Sequence, residues 1–425
     1  MAKLSSRRRY AAARGGVLLA AVAVLAATAL AGCTDGNDAL GEVPGQGTGT
    51  AGAGPSGSIA ASGVAPDLTI EVIADGLENP WDIGVLPDGS ALVTQRPGRI
   101  TLLSNLGPGA RRTPVSAELS DVYAKGEGGL LGMVIHPDFA TSREFTTCLD
   151  HAENGEPVDI RLVTWRLSTD GASAQRVRTL LTGLPVAVGG RHSGCRPSIG
   201  PDGALLVGTG DTAVGSIPQD LTSLGGKVLR LDLHTGEPLL DNPYADAADR
   251  NQRYVHSFGH RNVQGVAVRP GTGQVFTAEH GPSVNDEVNL ERAGGNYGWD
   301  PSVGGSTAAY DESVSMTDLD RFPEAVPALW QSGPTTQAIC GLTFVTGPAW
   351  GKNDGALVVT ALKGAKLLVL RMDAAGALTS VSIPEATNGT YGRLRAARTA
   401  PDGALLVTTS NGDNDKVLRI TPVQD

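Results

Sequence analysis

Short apolar runs that each follow a tight polar turn recur along the chain. The turn is Pro-Asp-Gly, Asn-Asp-Gly or a looser variant that contains proline, and an apolar run such as Leu-Leu-Val comes after it. The six copies occupy residues 87–93, 136–147, 201–207, 270–276, 353–359 and 401–407. Glycine in these turns supplies the positive φ of a hairpin, and apolar runs of this length favour strands. Each copy therefore predicts a turn followed by a β-strand.

The spacing of the six copies indicates the architecture. Successive copies lie roughly 50 to 80 residues apart, which is too far for the stacked units of a solenoid and suits the blades of a β-propeller. We therefore expect an all-β, six-bladed β-propeller over residues 66–425. Because propellers bind ligands over the central channel, the functional residues should lie in the connections between the copies.

Residues 1–32 have the pattern of a lipoprotein signal peptide. They contain a basic start and an apolar stretch at 16–29, and the box Leu-Ala-Gly-Cys follows at 30–33. This pattern predicts cleavage before Cys33 and lipid attachment to that residue. The lipid alone would then anchor the protein to the extracytoplasmic face of the cell membrane. A plain secretory peptide with an incidental cysteine is the alternative.

Residues 33–65 are rich in Gly, Ala, Ser and Thr and lack apolar periodicity, so we expect a flexible tether. The whole chain has a formal net charge of −10, and removal of the five cations of the leader makes the remainder near −15. An acidic surface of this kind argues against nucleic acid as a partner. An anionic ligand would need a local group of basic side chains.

Three cysteines follow Cys33 in the sequence. They are Cys148, Cys195 and Cys340, and an oxidising compartment favours one disulfide with one thiol left over. We expect Cys148 to pair with Cys195, although spacing alone leaves the other two pairings open.

Two segments that contain glycine present polar side chains suited to catalysis. His192 lies in Gly-Gly-Arg-His-Ser-Gly-Cys-Arg at residues 189–196, where the glycines let the backbone approach a ligand and direct the imidazole into a cavity. Arg261 and Asn262 follow a Gly-His corner, which combines a fixed cation with an amide that both donates and accepts hydrogen bonds. Taken alone, each segment could equally be a structural turn.

Two further segments suit charged ligands. Residues 279–287 combine Glu-His-Gly-Pro with Asn-Asp-Glu, and such carboxylates and carbonyls suit a hard cation such as calcium, although the spacing is not that of an EF-hand loop. Lys363 lies in one loop, and Arg393 and Arg395 follow at strand spacing, so both guanidinium groups can face one anion. The arginine pair could also be a solvated strand face.

Together these motifs resemble the soluble quinoprotein glucose dehydrogenases and aldose sugar dehydrogenases, called the glucose/sorbosone dehydrogenase family. The resemblance extends from residue 79 to the C-terminus. Its markers are Gly-Gly-Leu-Leu-Gly at 128–132, His-Pro-Asp-Phe at 136–139, Arg-His at 191–192, Gly-His-Arg-Asn at 259–262, Glu-His-Gly-Pro at 279–282 and Asn-Tyr-Gly-Trp at 296–299. The resemblance implies a six-bladed propeller that holds pyrroloquinoline quinone (PQQ) and calcium at the centre of one face.

The resemblance also implies roles for individual residues. His192 matches the general base that takes the proton of the sugar's anomeric hydroxyl while hydride passes to the quinone, and Arg261 and Asn262 match residues beside the reactive carbonyl. The other matches are cofactor ligands: the carbonyls of Gly281 and Pro282 for calcium, Lys363, Arg393, Arg395 and Thr336 for the quinone, and Glu287 and Tyr297 for a second calcium found in some members. The implied substrate is an aldose. No Cys-x-x-Cys-His haem site is present in the sequence, so electrons would pass to a separate acceptor.

Glu127 departs from the family pattern, which has at this position a glutamine that hydrogen-bonds the quinone. A carboxylate here would repel an anionic cofactor unless it is protonated or paired. Three functions therefore stay open: an aldose dehydrogenase, a propeller lipoprotein that has lost the quinone and acts as a binding or envelope-interaction module, and a calcium-dependent lactonase-type hydrolase. The last would need a cage of inward Asp, Glu and Asn side chains.

Overall fold

Six four-stranded antiparallel sheets surround a central channel in the computed structural model, which describes residues 63–302 and 310–423. The first strands of the sheets contact one another in order around a ring, and the other strands follow outward in chain order. The prediction of an all-β, six-bladed β-propeller is confirmed. Residues 1–62, which contain the expected signal peptide, Cys33 and most of the tether, lie outside the described residues.

The described chain enters through β1 (Leu68–Leu77), the outermost strand of blade 6. From the centre outward, blade 1 has β2 (Pro80–Val85), β3 (Ala91–Gln95), β4 (Arg99–Leu103) and β5 (Arg112–Val115), and blade 2 has β6 (Leu130–Ile135), β7 (Glu144–Glu153), β8 (Glu156–Leu167) and β9 (Ala174–Leu184). Blade 3 has β10 (Gly194–Ile199), β11 (Leu205–Thr209), β12 (Lys227–Leu231) and β13 (Val255–Phe258), and blade 4 has β14 (Val263–Val268), β15 (Val275–Glu279), β16 (Glu287–Leu290) and β17 (Trp330–Gln331). Blade 5 has β18 (Ile339–Phe344), β19 (Leu357–Ala361), β20 (Lys366–Met372) and β21 (Leu378–Ser382), and blade 6 has β22 (Leu394–Thr399), β23 (Leu405–Thr409) and β24 (Asp415–Pro422) inside β1.

Helical segments are short in the described part of the chain. They are α1 (Phe139–Ser142) and three 3₁₀ segments, Gln252–Tyr254, Pro348–Asn353 and Glu385–Thr387. Across residues 63–302 and 310–423, none of the helices has the length and apolar character that a membrane span needs.

The first and last strands of the described chain close the ring. β1 pairs antiparallel with β24, with Leu68 opposite Pro422 and Ile70 opposite Ile420. Blade 6 thus takes three strands from the C-terminal part of the chain and one from the N-terminal part. Backbone hydrogen bonds, rather than a covalent link, hold the two ends of the propeller together.

The recurring turns of the sequence join the first and second strands of their blades. Gly89, Gly203 and Gly403 all have a φ of 83°, the left-handed conformation that such a hairpin turn requires. Because the two strands are antiparallel, these turns lie at one end of the propeller. The loops that precede the first strands lie at the opposite end, where the site is expected.

Apolar side chains fill the spaces between neighbouring blades. One cluster joins Leu131 and Leu162 of blade 2 to Leu205 and Leu229 of blade 3, and all four side chains are fully buried. Removal of such apolar surface from water is the main force that holds the blades against one another.

A buried ion network crosses the centre of the ring. The Asp82 carboxylate of blade 1 lies 2.8 Å from Arg196 Nη1 of blade 3 and 2.8 Å from Arg398 Nη2 of blade 6, and it accepts a 3.0 Å hydrogen bond from the Met133 amide of blade 2. Burial alone would raise the pKa of Asp82, but the two guanidinium groups outweigh that effect and hold the pKa below its usual value. One carboxylate therefore connects four blades.

A disulfide joins Cys148 of β7 to Cys195 of β10, which is the pairing favoured from the sequence. The two Cα atoms lie 6.0 Å apart. The bond ties blade 2 to blade 3 directly after the loop that carries His192. Cys340 is a free thiol and is buried.

Asp82→Asn should lower the free energy of unfolding by about 3–5 kcal/mol, because it leaves the buried Arg196 and the half-buried Arg398 without their counter-charge. Asp402→Asn is the matched control, since it removes the carboxylate of an exposed pair with Arg419 and should change that free energy by less than about 1 kcal/mol. Chemical denaturation of both variants measures the difference. Equal stability of D82N and the wild type would show that the network contributes no net stability.

Candidate active site

Most of the candidate residues lie at the end of the propeller opposite the recurring turns. They come from loops that precede the first strand of a blade and from loops that join the second strand to the third. The first kind carries Glu127, His192, Arg261, Asn262, Thr336 and Arg393, the second carries Gly281, Pro282 and Lys363, and Arg395 lies in β22 itself. The topology therefore brings residues of separate blades to the mouth of one channel.

His192 forms a buried pair with Asp211. Its Nδ1 donates a 2.7 Å hydrogen bond to Asp211 Oδ1. The other carboxylate oxygen accepts hydrogen bonds from Trp299 Nε1 at 2.9 Å and from the Tyr310 hydroxyl at 2.8 Å. Burial alone would raise the pKa of Asp211, but His192 and Arg261 hold it below its usual value. With Nδ1 engaged in this way, Nε2 is the nitrogen that can contact a ligand.

Close backbone packing and the disulfide fix the loop that carries His192. Gly210 lies so near that a Cβ atom there would clash with the His192 carbonyl oxygen. Gly194 and Cys195 have φ values of 57° and 55°, and Cys195 is bonded to Cys148. The imidazole is therefore presented by a rigid turn.

Hydrogen bonds fix both the backbone and the side chain of Arg261. Its amide donates a short hydrogen bond to Glu279 Oε1. Nη1 donates to the carbonyl oxygens of His280 and Gly281, each at 3.1 Å, and Nη2 donates to Glu312 at 2.7 Å. The side chain is buried, so the site contains a positive charge in a fixed position.

Asp286 connects the Gly281 turn to the loop of Thr336. Its Oδ1 accepts hydrogen bonds from the Gly281 amide at 2.9 Å and from the Thr336 hydroxyl at 2.7 Å. Burial raises the pKa of Asp286 above its usual value, although these donors oppose that effect. The structure thus brings the expected calcium-binding turn, which includes Pro282, next to the expected quinone contact.

Glu287 and Tyr297 use their side chains for separate contacts. Glu287 accepts a 2.9 Å hydrogen bond from Gln331, whereas the Tyr297 hydroxyl donates to the Leu290 carbonyl at 2.8 Å and its ring stacks on His260 at 4.4 Å. No group of three or more His, Cys, Asp or Glu side chains forms a metal-binding cluster within residues 63–302 and 310–423. A calcium ion here would need backbone carbonyl oxygens among its ligands.

The three expected anion-binding cations have no carboxylate partner among the described residues. Lys363 and Arg393 are exposed, whereas Arg395 is buried. β22 begins at Leu394, so Arg393 precedes the strand rather than alternating within it. Both arginines nevertheless reach Ser410: Arg393 Nε donates to its carbonyl at 3.1 Å, and Arg395 Nε to its hydroxyl at 3.4 Å.

Glu127 is paired with neutral amides. Its Oε2 accepts hydrogen bonds from Asn262 Nδ2 at 3.1 Å and from Gln264 Nε2 at 2.8 Å. The contacts satisfy the oxygen without neutralising its charge, so a carboxylate stands beside Asn262 at the mouth of the channel.

Asp150 is a second carboxylate close to Glu127. Its Oδ2 accepts a 3.0 Å hydrogen bond from the Ser193 hydroxyl, and its buried Oδ1 has no hydrogen-bond partner among the described residues. Burial raises the pKa of Asp150 to about 8, and the charge of Glu127 adds to that rise. Asp150 therefore takes up a proton on folding near neutral pH.

Asp150→Asn should become more stable relative to the wild type as the pH rises. The wild-type carboxyl has a folded pKa of about 8 against an ordinary value near 4, so the stability that it contributes falls as the pH rises through that interval. From pH 5 to pH 8 the difference in unfolding free energy should shift by about 2–4 kcal/mol in favour of D150N. Chemical denaturation at both pH values measures it, and a constant difference would refute the buried protonated state.

Several residues of the site were not predicted from the sequence. Asp211 follows β11 as Lys363 follows β19. Its position after one of the recurring apolar strands could therefore have identified it as a candidate site residue. Arg196 lies in the His192 motif, yet nothing in the sequence indicates its stacking 4.1 Å from the ring centroid of Trp81. Tyr310 and Glu312 lie in a long connection without a recognisable motif.

Comparison with known proteins agrees with this geometry. A family model described as glucose/sorbosone dehydrogenase matches residues 77–419. Aldose sugar dehydrogenase YliI of Escherichia coli is 29% identical over 84% of this chain and 93% of its own length. Quinoprotein glucose dehydrogenase B of Acinetobacter calcoaceticus is 30% identical over 55% of this chain and 52% of its own. The solved PQQ-bound form of aldose sugar dehydrogenase from Streptomyces coelicolor is 29% identical, with 84% of this chain and 100% of that chain covered and a TM-score of 0.66.

Proposed function

The chain belongs to the glucose/sorbosone dehydrogenase family, and on that premise we propose that it is a PQQ- and calcium-dependent aldose dehydrogenase. It oxidises an aldose at C1 by hydride transfer, with His192 as the general base. The observation that carries the proposal is the buried hydrogen bond between His192 and Asp211. This pair lies at the same end of the channel as Arg261 and the three cations that have no carboxylate partner in the described part of the chain.

The contacts of His192 suit a general base. Donation from Nδ1 to Asp211 leaves Nε2 free to accept the proton of the C1 hydroxyl. The same carboxylate stabilises the imidazolium that results. Trp299 and Tyr310 hold the second carboxylate oxygen, so the base is oriented before a substrate arrives.

The residues present fit the cofactors that the family implies. PQQ carries carboxylates, and Lys363, Arg393 and Arg395 offer three positive charges that no described carboxylate neutralises. When bound, PQQ supplies the hydride acceptor and calcium supplies a Lewis acid beside it. The carbonyls of Gly281 and Pro282 would hold the calcium ion; the former already accepts a hydrogen bond from the Arg261 side chain, but a carbonyl oxygen has a second lone pair.

One observation favours a second function, that of a non-catalytic propeller which binds an envelope component. The Glu127 carboxylate lies at the mouth of the channel and accepts hydrogen bonds from the side-chain amides of Asn262 and Gln264. Its negative charge would repel an anionic cofactor. The lactonase-type alternative would need a cage of inward Asp, Glu and Asn side chains, and the described residues contain no group of three or more His, Cys, Asp or Glu side chains that could hold a metal ion.

We also propose that the protein is attached by lipid at Cys33 to the extracytoplasmic face of the cell membrane. The Leu-Ala-Gly-Cys box and the Gly- and Ala-rich residues 33–65 support this attachment. Electrons leave to a separate acceptor, since the sequence has no haem-attachment motif.

Titration of the protein with PQQ in the presence of calcium should give saturable heat in calorimetry. Subsequent addition of aldoses should reduce a dye acceptor. His192→Ala should bind PQQ with affinity within about threefold of the wild type but lose turnover by at least about 100-fold, because only proton removal is affected. A folded protein that binds no PQQ would overturn the proposal and favour the non-catalytic function.

Glu127→Gln should bind PQQ about 3–10-fold more tightly than the wild type. The substitution removes one negative charge near an anionic ligand and keeps an oxygen that can accept from Asn262 and Gln264. Glu71→Gln, on the exposed face of the outermost strand β1, is the control for the same change in net charge and should leave the affinity unchanged. Identical affinities for E127Q and the wild type would mean that Glu127 does not weaken cofactor binding.

A further inference from the structure

The segment that follows residue 309 places two side chains against the catalytic pair. The Tyr310 hydroxyl donates to Asp211 Oδ2 at 2.8 Å, and the Tyr310 ring lies 6.1 Å from the His192 ring at an interplanar angle of 48°. Arg191 stacks on the same tyrosine, with its guanidinium carbon 5.8 Å from the ring centroid. An aromatic face therefore lies beside the base.

Glu312 reaches the same position from the next turn of this segment. Its Oε1 accepts a hydrogen bond from Arg261 Nη2 at 2.7 Å and lies 3.9 Å from Arg191 Nη1. The side chain is 38% exposed, and Oε2 has no partner among the described residues. One carboxylate oxygen is thus held by arginine, while the other has no hydrogen-bond partner within residues 63–302 and 310–423.

Glu312 lies between two arginine side chains. Arg191 and Arg261 carry two positive charges, and Glu312 is the carboxylate that contacts both. Without it, two guanidinium groups would face an incoming ligand and would favour a carboxylate. With it, one of these positive charges is neutralised, and the second carboxylate oxygen, which has no partner among the described residues, can accept a hydrogen bond from a hydroxyl group.

We propose that Glu312 is a specificity-determining residue, which accepts hydroxyl hydrogen bonds from an aldose and discriminates against aldoses that carry a carboxylate. The proposal rests on the function proposed above and names the class of sugar that its site takes. The aromatic face of Tyr310 contacts the apolar side of the sugar ring, and Glu312 contacts its hydroxyl groups. The site thereby prefers neutral aldoses to sugar acids.

Glu312→Gln tests the charge of this residue, with Asp311→Asn as the matched control. Asp311 bonds only within its own turn, to the amide of Ser313 at 2.9 Å and its hydroxyl at 2.7 Å. The PQQ-loaded wild type and both variants are assayed with glucose, glucosamine and glucuronate, using a dye acceptor. In E312Q the ratio of kcat/KM for glucuronate to that for glucose should rise about tenfold, and the ratio for glucosamine should fall.

The change in E312Q should appear mainly in KM, with kcat for glucose within about threefold of the wild type, because the residue binds substrate and does not transfer a proton. D311N should keep both ratios within about twofold of the wild type. Equal ratios in E312Q and D311N would overturn the proposal, and so would a thermal destabilisation of E312Q without any change in selectivity.

Equilibrium binding separates this proposal from the function on which it rests. Calorimetry measures the affinities of the three sugars for the wild type and E312Q without turnover. A shift of the glucuronate-to-glucose affinity ratio in E312Q, with no turnover of any aldose by the wild type, would overturn the dehydrogenase and support the role of Glu312. No sugar binding at all would overturn both.

Discussion

The positions of the blades depend on a single buried carboxylate at the axis of the ring. In a propeller, the strands nearest the axis come from different blades and share no backbone hydrogen bonds, so side chains must join them. Asp82 does so by binding Arg196 and Arg398, which belong to two other blades. Buried charges persist only when they are paired and hydrogen-bonded, and this requirement fixes the relative positions of the blades on which the site is built.

The same principle operates at the mouth of the channel. Asp211 holds the ring of His192, and Glu279 holds the backbone of Arg261. Asp286 ties two further loops to each other. The acids that make the chain negative overall are thus partly inside, where they orient donors. The three expected anion-binding cations, unlike Arg261, have no carboxylate partner among the described residues and keep their charge for a ligand. The active groups are rigid because each has a buried partner that would be costly to leave unpaired.

The fold could be predicted from the sequence because its signal is local. A glycine turn followed by an apolar strand is encoded within about ten residues, and its recurrence gave the number of blades. The loops that carry His192 and Arg261 were recognisable by their motifs. The contacts across the ring were not, since Asp82 and Arg398 are separated by 316 positions in the chain. The role of Glu312 could not be predicted from the sequence either, because only folding brings this residue into contact with Arg261.

The closure of blade 6 by β1 and β24 affects how the molecule folds while it is being synthesised. The strand that completes the last sheet is the first described strand to be synthesised, and its partner ends at Pro422. Blades 1 to 5 can assemble as the chain lengthens, but the ring stays open with unpaired strand edges until the final strand has been made. Joining such distant segments carries a large loop-closure entropy and slows folding. A chain that lacks only its last dozen residues would therefore retain five complete sheets yet expose the edges through which open sheets aggregate.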